Sequence, residues 1–322
     1  MTTQETAEPV ETFASVLGSV ADNMARVIQG KDDVIELVLL CLVSEGHLLI
    51  EDVPGVGKTT LAKALAASID ASFGRVQFTP DVLPTDVLGV NVWDRGAEEF
   101  RFRPGPVFAN IVLADEINRA SPKTQSALLE SMAEDQVTID GTTYPLPPPF
   151  LVVATQNPIE HEGTYPLPES QLDRFLLQVS VGYPGRQSEI EVLNTHGDHD
   201  ALADLRPVTT AEHVLALARA VRTVFVAPPL QGYLVDLAAA TRSHPLLALG
   251  MSPRATLSLQ RVARARAAAS GRGHVLPDDI KVLAEPVLGH RLMLTPEARL
   301  RGNTVAEVLH EILQSVAIPD VP

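Results

Sequence analysis

The chain has 322 residues, room for two domains of ordinary size at roughly 100–200 residues each. With 45% hydrophobic and 20% charged residues it buries a core and is not a disordered tail, and an aromatic content of 4% leaves that core to Ala, Val and Leu, which favours close helix packing. The 40 acidic and 25 basic residues leave a net charge of −15, which repels a phosphate backbone and argues against general nucleic-acid binding.

In chain order, residues 1–12 are polar and acidic with Pro9, and read as a flexible tail. The start has no basic region followed by an apolar stretch, so no signal peptide is expected. From Asp32 to Val43, Val34, Ile35, Val38, Leu39 and Leu42 recur as on one buried helix face. The aliphatic run Leu37 to Val43 within it falls far short of the ~20 residues of a membrane helix, so no membrane insertion is expected. Cys41, the only cysteine, sits between Leu40 and Leu42 and reads as core; with no disulfide or cysteine metal cluster possible within the chain, a reducing, cytoplasmic location is expected. After Gly46, the apolar run His47 to Ile50, the stretch Glu51 to Thr60, and the spacing of Leu61, Leu65 and Ile69 spell strand, loop, helix.

Three further apolar runs predict buried strands, Ile111 to Ala114, Phe150 to Ala154 and Phe175 to Val181, with a weaker one at Arg75 to Phe78. Alternating with helices such as Pro122 to Met132, N-capped by Ser121, they imply a parallel sheet. Two insertions read as β-hairpins: Gln136 to Tyr144, with Asp140-Gly141 as a primed turn, and Val92 to Phe102, with a turn near Arg95-Gly96. Trp93, Phe100 and Phe102 on the second are expected to pack. At Tyr183-Pro184-Gly185-Arg186 strand signals fade and helical Ala/Leu/Arg patterns take over, which divides the chain into an α/β core over 13–182 and a smaller all-α domain over 183–322.

The chemistry begins at Pro54-Gly55-Val56-Gly57-Lys58-Thr59-Thr60. A nucleoside triphosphate needs backbone N–H groups of a Gly-rich loop at a helix N-terminus, a lysine on the outer phosphates and a hydroxyl on Mg²⁺. The usual motif has a further Gly where this chain has Asp52. The run Ile111-Val112-Leu113-Ala114-Asp115-Glu116 then delivers two carboxylates at a strand's C-terminal end, where parallel α/β sheets bind ligands. Asp115, with Thr59, is expected to hold Mg²⁺, and Glu116 to act as general base on the attacking water. Alone, Asp-Glu after an apolar run is an ordinary solvated strand end; the preceding loop decides.

Asn157, ending the strand from Phe150, offers an amide that orients water without competing for its proton. Arg254 follows Ser252-Pro253 in the first turn of a helix, where the dipole disfavours a cation unless an anion is near. Arg174 precedes a strand and could pair with local acids or reach an adjacent subunit's phosphate.

As a set, Glu51-Asp52-Val53-Pro54-Gly55-Val56-Gly57-Lys58-Thr59, Gln77-Phe78-Thr79-Pro80-Asp81, Asp115-Glu116-Ile117-Asn118-Arg119-Ala120 and Leu167-Pro168-Glu169-Ser170-Gln171-Leu172-Asp173-Arg174-Phe175 resemble the MoxR family of AAA+ ATPases, from about Ala21 onward. The resemblance implies a P-loop αβα core with a helical lid, ATP and Mg²⁺ as cofactors, Walker A at Gly55 to Thr59 and Walker B at Asp115-Glu116. It likewise implies sensor 1 at Asn157, an arginine finger at Arg174 and sensor 2 at Arg254, through which ATP would close lid on core. It further implies a homo-oligomeric ring, usually a hexamer, with nucleotide between subunits and the two hairpins facing the axis. A chaperone-like role on a client protein would follow, alongside a partner bearing a von Willebrand factor A domain.

Three alternatives share the core motifs. A nucleotide-gated scaffold would leave Glu116, Asn157 and Arg174 superfluous. A DNA-remodelling subunit fits poorly with the net charge, whereas a magnesium-chelatase-like ATPase subunit is not separated by motifs alone. No Asn-Lys-x-Asp sequence for guanine recognition is present, which argues against a GTPase.

Overall fold

The computed structural model describes residues 10–158, 163–187, 189–190 and 201–319. Helix α1 (Val10–Ala25) begins inside the stretch expected to be a tail over 1–12, whose residues 1–9 lie outside the described ones. Helix α2 (Asp32–Val43) follows the predicted bounds, with Asp32 and Asp33 in its first turn, where the helix dipole favours acids. Gly46 lets the chain enter the sheet. A Cβ there would lie 2.2 Å from the Leu176 side chain, so no larger residue fits without displacing the neighbouring strand's approach.

The central sheet uses β1 (Leu48–Glu51), β2 (Phe73–Gln77), β5 (Ile111–Asp115), β8 (Leu151–Gln156) and β9 (Leu177–Val179) in the order β2-β5-β8-β1-β9, every pair parallel. Alternation sends Leu48, Ile50, Leu113 and Val153 to a face covered by α1, α2 and α3 (Lys58–Ser68). Leu49, Val112, Ala114 and Val152 go to the face covered by α5 (Pro122–Glu134). The run Phe175 to Val181 is strand only over Leu177–Val179. The Phe175 carbonyl instead accepts from His290 Nε2 at 3.0 Å and Arg291 Nη2 at 2.6 Å, so a lid contact replaces ladder pairing.

Both hairpins form. After the short α4 (Pro84–Leu88), β3 (Gly89–Asp94) pairs with β4 (Glu99–Pro104), and β6 (Gln136–Ile139) pairs with β7 (Thr142–Pro145). Asp140 and Gly141 hold φ of 49° and 81°, as a primed two-residue turn requires. Phe102 stacks on Tyr144 at 4.1 Å and Asn91 Nδ2 donates to Asp140 Oδ2 at 2.8 Å, which binds the two hairpins to each other. The expected packing of the aromatics therefore holds at the base alone. Trp93 and Phe100 touch edge to face at 5.1 Å yet remain 48% and 69% exposed.

The C-terminal part is helical: α7 (Ala211–Val221), α8 (Pro228–Ser243), α9 (Pro253–Ala269), α10 (Pro277–Leu288), α11 (Pro296–Leu300) and α12 (Val305–Ser315), with α6 (Glu169–Leu172) lying in the core. It also carries a small antiparallel ribbon of β10 (Leu247–Leu249) and β11 (Met293–Leu294), which the all-α expectation did not include. One buried cluster runs from α1 and α2 through the sheet into α8, α9 and α10, so the two parts share a continuous apolar core. Among the described residues no helix is long and apolar enough to cross a membrane.

Candidate active site

The loop between β1 and α3 is shaped by backbone. Gly55 and Gly57 sit at φ of 87° and 91°, in the left-handed region that suits glycine. Helix α3 opens at Lys58 with no side-chain cap and no acid in its first turn, leaving its N-terminal N–H groups and positive dipole end for an anion. Lys58 Nζ donates to the Asp52 carbonyl at 2.9 Å, folding the lysine back over the loop. Pro54 and Gly55 are exposed, Val56 packs partly against the core, and Thr59 and Thr60 are half-buried on the first turn of α3.

Asp52, odd against the general motif, has a structural task. Its buried carboxylate accepts from Val53 N at 2.8 Å, Ser180 Oγ at 3.1 Å and Gly182 N at 2.5 Å, tying the start of the loop to the chain leaving β9.

Asp115 and Glu116 stand at the C-terminal end of β5, two strands from the loop and on the same edge of the sheet. Thr155 Oγ donates to Asp115 Oδ1 at 2.8 Å and accepts from Glu116 N at 2.8 Å. Arg75 Nη2 meets Asp115 Oδ2 at 2.7 Å and Gln77 Oε1 at 2.8 Å, while Gln77 Nε2 and Arg119 Nη1 each donate to Glu116 Oε2 at 3.0 Å. Glu116 itself holds φ 59° and ψ 49°, a left-handed conformation that costs a non-glycine residue on the order of 1–3 kcal/mol and persists where its surroundings over-determine it. Asn157 is buried just past the end of β8, on the same edge. Lys58, Asp115, Glu116 and Asn157 thus lie along one edge of the sheet.

Thr155, Arg75, Gln77 and Arg119 were not expected in this network; Gln77 and Arg119 stood only within stretches that carry the family resemblance. The period-two spacing of Arg75 and Gln77 on β2 was the available signal, since it places both on one face beside β5.

The two remaining arginines lie elsewhere. Ser252 caps α9 by accepting from Ala255 N at 3.1 Å, which sets Arg254 in the first turn, 60% exposed and 3.9 Å from Asp173 Oδ2. Arg174 is half-buried and donates to the Leu129 carbonyl near the end of α5. Both line a cavity of about 240 Å³ with Gly46, His47, Asp173 and Arg291. Gly46 and His47 precede β1, so this cavity opens at the N-terminal edge of the sheet, opposite the loop. The five residue steps from His47 to Asp52 span roughly 16 Å of extended chain. Arg254, through which ATP is expected to close lid on core, lies in this structure at the edge opposite the loop. Burial pushes the Arg291 guanidinium down to about 10 against the pull of Asp173, and Arg254 and Arg261 push the same way; the cavity gathers four arginines, Arg174, Arg254, Arg261 and Arg291, with Glu45, Asp135 and Asp173 among them.

The residues fit the group their pattern implies. An uncapped helix N-terminus behind two left-handed glycines suits a polyphosphate, and Thr59 and Asp115 carry the oxygen donors a hard cation takes.

Residues 47–177 match the ATPase family associated with various cellular activities (AAA), and residues 239–312 match the AAA lid domain. The chain is 48% identical over 309 residues to the uncharacterized protein YeaC of Bacillus subtilis, covering 96% of this chain and 97% of that one. It is 44% identical over 305 residues to the chaperone MoxR1 of Mycobacterium tuberculosis, covering 92% and 80%. The crystal structure of a candidate ATPase from Cytophaga hutchinsonii superposes with a TM-score of 0.91 at 38% identity, covering 97% of each chain. An α/β core carrying this strand edge, a helical lid and near full-length identity to a MoxR chaperone place the chain in the MoxR family of AAA+ ATPases.

Proposed function

We propose that this chain binds ATP with Mg²⁺ and hydrolyses it between neighbouring subunits of a homo-oligomeric ring, a hexamer, to drive chaperone-like remodelling of a client protein in the cytoplasm. The observation that carries the reading is the division of the site between the two edges of one sheet. Lys58, Asp115, Glu116 and Asn157 occupy one edge, and Arg174 and Arg254 the other. A head-to-tail interface brings unlike edges together and closes into a ring.

In this reading the backbone N–H groups of Gly55, Val56 and Gly57 and the Lys58 ammonium hold the phosphates, while Thr59 and Asp115 hold the metal. When bound, Mg²⁺ offsets phosphate charge. Glu116 leaves Gln77 and Arg119, turns to the attacking water and takes its proton on a carboxylate oxygen; Asn157 orients that water. Arg174 and Arg254 of the neighbour stabilise the charge that develops, a contribution of ~10³–10⁵ in rate for such arginines. The linked hairpins, with Trp93 and Phe100 exposed at their tip, are the surface offered to the client. A partner with a von Willebrand factor A domain completes the proposed assembly.

The test is phosphate release from ATP with Mg²⁺ for the parent and Glu116→Gln, over a concentration series with particle mass recorded in parallel. Specific activity should rise with assembly, and the variant should bind ATP yet lose about 10²–10⁴-fold in turnover. A variant hydrolysing at the parent rate sinks the reading.

A further inference from the structure

We propose that Thr155 is a positioning residue for hydrolysis, its single hydroxyl orienting Asp115 and Glu116 together; this rests on the hydrolytic reading above. Thr155 is 0% exposed, on the innermost part of the strand edge. A hydroxyl has one proton and two lone pairs. Here the proton goes to Asp115 Oδ1 and a lone pair takes the Glu116 N–H, each at 2.8 Å.

The first bond settles which Asp115 oxygen faces inward, and so turns Oδ2 outward, where Arg75 meets it at 2.7 Å. That outward oxygen is the one a cation would meet, in exchange for Arg75. The second bond fixes the peptide plane between the two acids. Glu116 stands at φ 59°, a conformation uncommon for a non-glycine residue, and it is this plane that sends the two adjacent side chains in different directions. Because Thr155 lies two residues before Asn157 on β8, the same hydroxyl keeps the water-orienting amide in register with the base.

Packing alone does not account for a threonine here. Valine has nearly its volume, suits a buried strand better and brings no polar atom to satisfy. The hydroxyl earns its place through its two bonds.

Three variants test this: Thr155→Val, Thr155→Ala and Thr155→Ser, in the full chain. ADP binding is titrated with Mg²⁺ and with EDTA, steady-state turnover is split into kcat and KM, and thermal unfolding is followed alongside. Loss of an orienting partner behind a metal ligand typically costs about 10–100-fold in metal affinity or activity. Val and Ala should therefore lower kcat by about that factor, with KM within about threefold, and should raise the Mg²⁺ concentration that half-saturates tightening of ADP by at least about fivefold. Binding in EDTA should stay within about twofold of the parent, and Ser should restore both quantities to within about threefold. The proposal is overturned if Val and Ala keep the parent's kcat and Mg²⁺ midpoint, or if Ser is as impaired as Ala. Should Val fail to fold, the Ser and Ala pair, which differ by the hydroxyl alone, decides. The Mg²⁺ midpoint needs no turnover, so a parent that proves inactive would defeat the hydrolytic reading while leaving the Thr155 result readable.

Discussion

At the residue scale, Asp52 shows how a departure from a motif becomes a part of the machine. The glycine of the usual motif would leave the loop's start held by backbone alone, whereas the Asp52 carboxylate gathers three donors from Val53, Ser180 and Gly182. Asp52→Asn keeps the size but puts an NH₂ against at least one of those donors. Leaving a buried donor unpaired costs about 1–3 kcal/mol. The expected outcome is a stability loss of that order by denaturant unfolding, and ADP binding weakened about tenfold because the loop no longer presents its N–H groups in one shape. Unchanged ADP affinity would show that the loop is fixed by something else. Gly55, Gly57, Lys58, Thr59, Asp115, Glu116 and Asn157 were legible as candidates because each follows a local strand-to-loop pattern. The task of Asp52 was not, since its partners at Ser180 and Gly182 lie 128 and 130 residues away.

At the scale of elements, His47 pins three of them at the head of β1. Val152 N of β8 donates to its Nδ1 at 3.1 Å, and its Nε2 donates to the Met132 carbonyl in α5 at 2.9 Å. Both ring nitrogens are committed to one neutral tautomer, and a proton added at Nδ1 would face the Val152 N–H. Burial pushes the imidazole from 6.5 down to about 4; Arg261 pushes the same way and the Met132 bond opposes. A histidine whose folded value lies below its unfolded one contributes stability that is fully present above pH 6.5. That stability is lost as pH falls toward 4, because the unfolded chain takes the proton first. The amount is on the order of 3 kcal/mol. Denaturant unfolding of the parent and His47→Gln between pH 7.5 and 4 should give curves that converge as pH falls; parallel curves would mean that His47 titrates alike in both states. The strand, α2 and the Asp140-Gly141 turn were legible, because periodicity and turn chemistry are local. The truncation of the predicted strand at Leu177 and the β10–β11 ribbon were not, because each depends on contacts between distant parts of the chain, as at Phe175 with His290 and Arg291.

At the scale of the whole molecule, the lid decides which arginines can act together. Arg291 reaches Asp173 Oδ1 at 3.2 Å and the Phe175 carbonyl at 2.6 Å, so the lid docks beside Arg174 and carries Arg254 to the edge of the sheet opposite the loop. Sequence spacing could not reveal this, since Arg254 and Asp173 meet only through that docking. If a site is built between subunits, one neighbour must then supply both arginines. Mixing Glu116→Gln with Arg174→Ala, each inactive alone, should recover about a quarter of parental activity, because random assembly puts an intact loop edge against an intact arginine edge at that frequency. Glu116→Gln mixed with Arg254→Ala should behave the same way. The deciding mixture is Arg174→Ala with Arg254→Ala. Were Arg254 to serve its own loop, an Arg174→Ala subunit could keep its own Arg254 and borrow Arg174 from its neighbour, and activity would return. With both arginines on one edge, every neighbour in that mixture lacks one of the pair, and phosphate release should remain at the level of the separate variants.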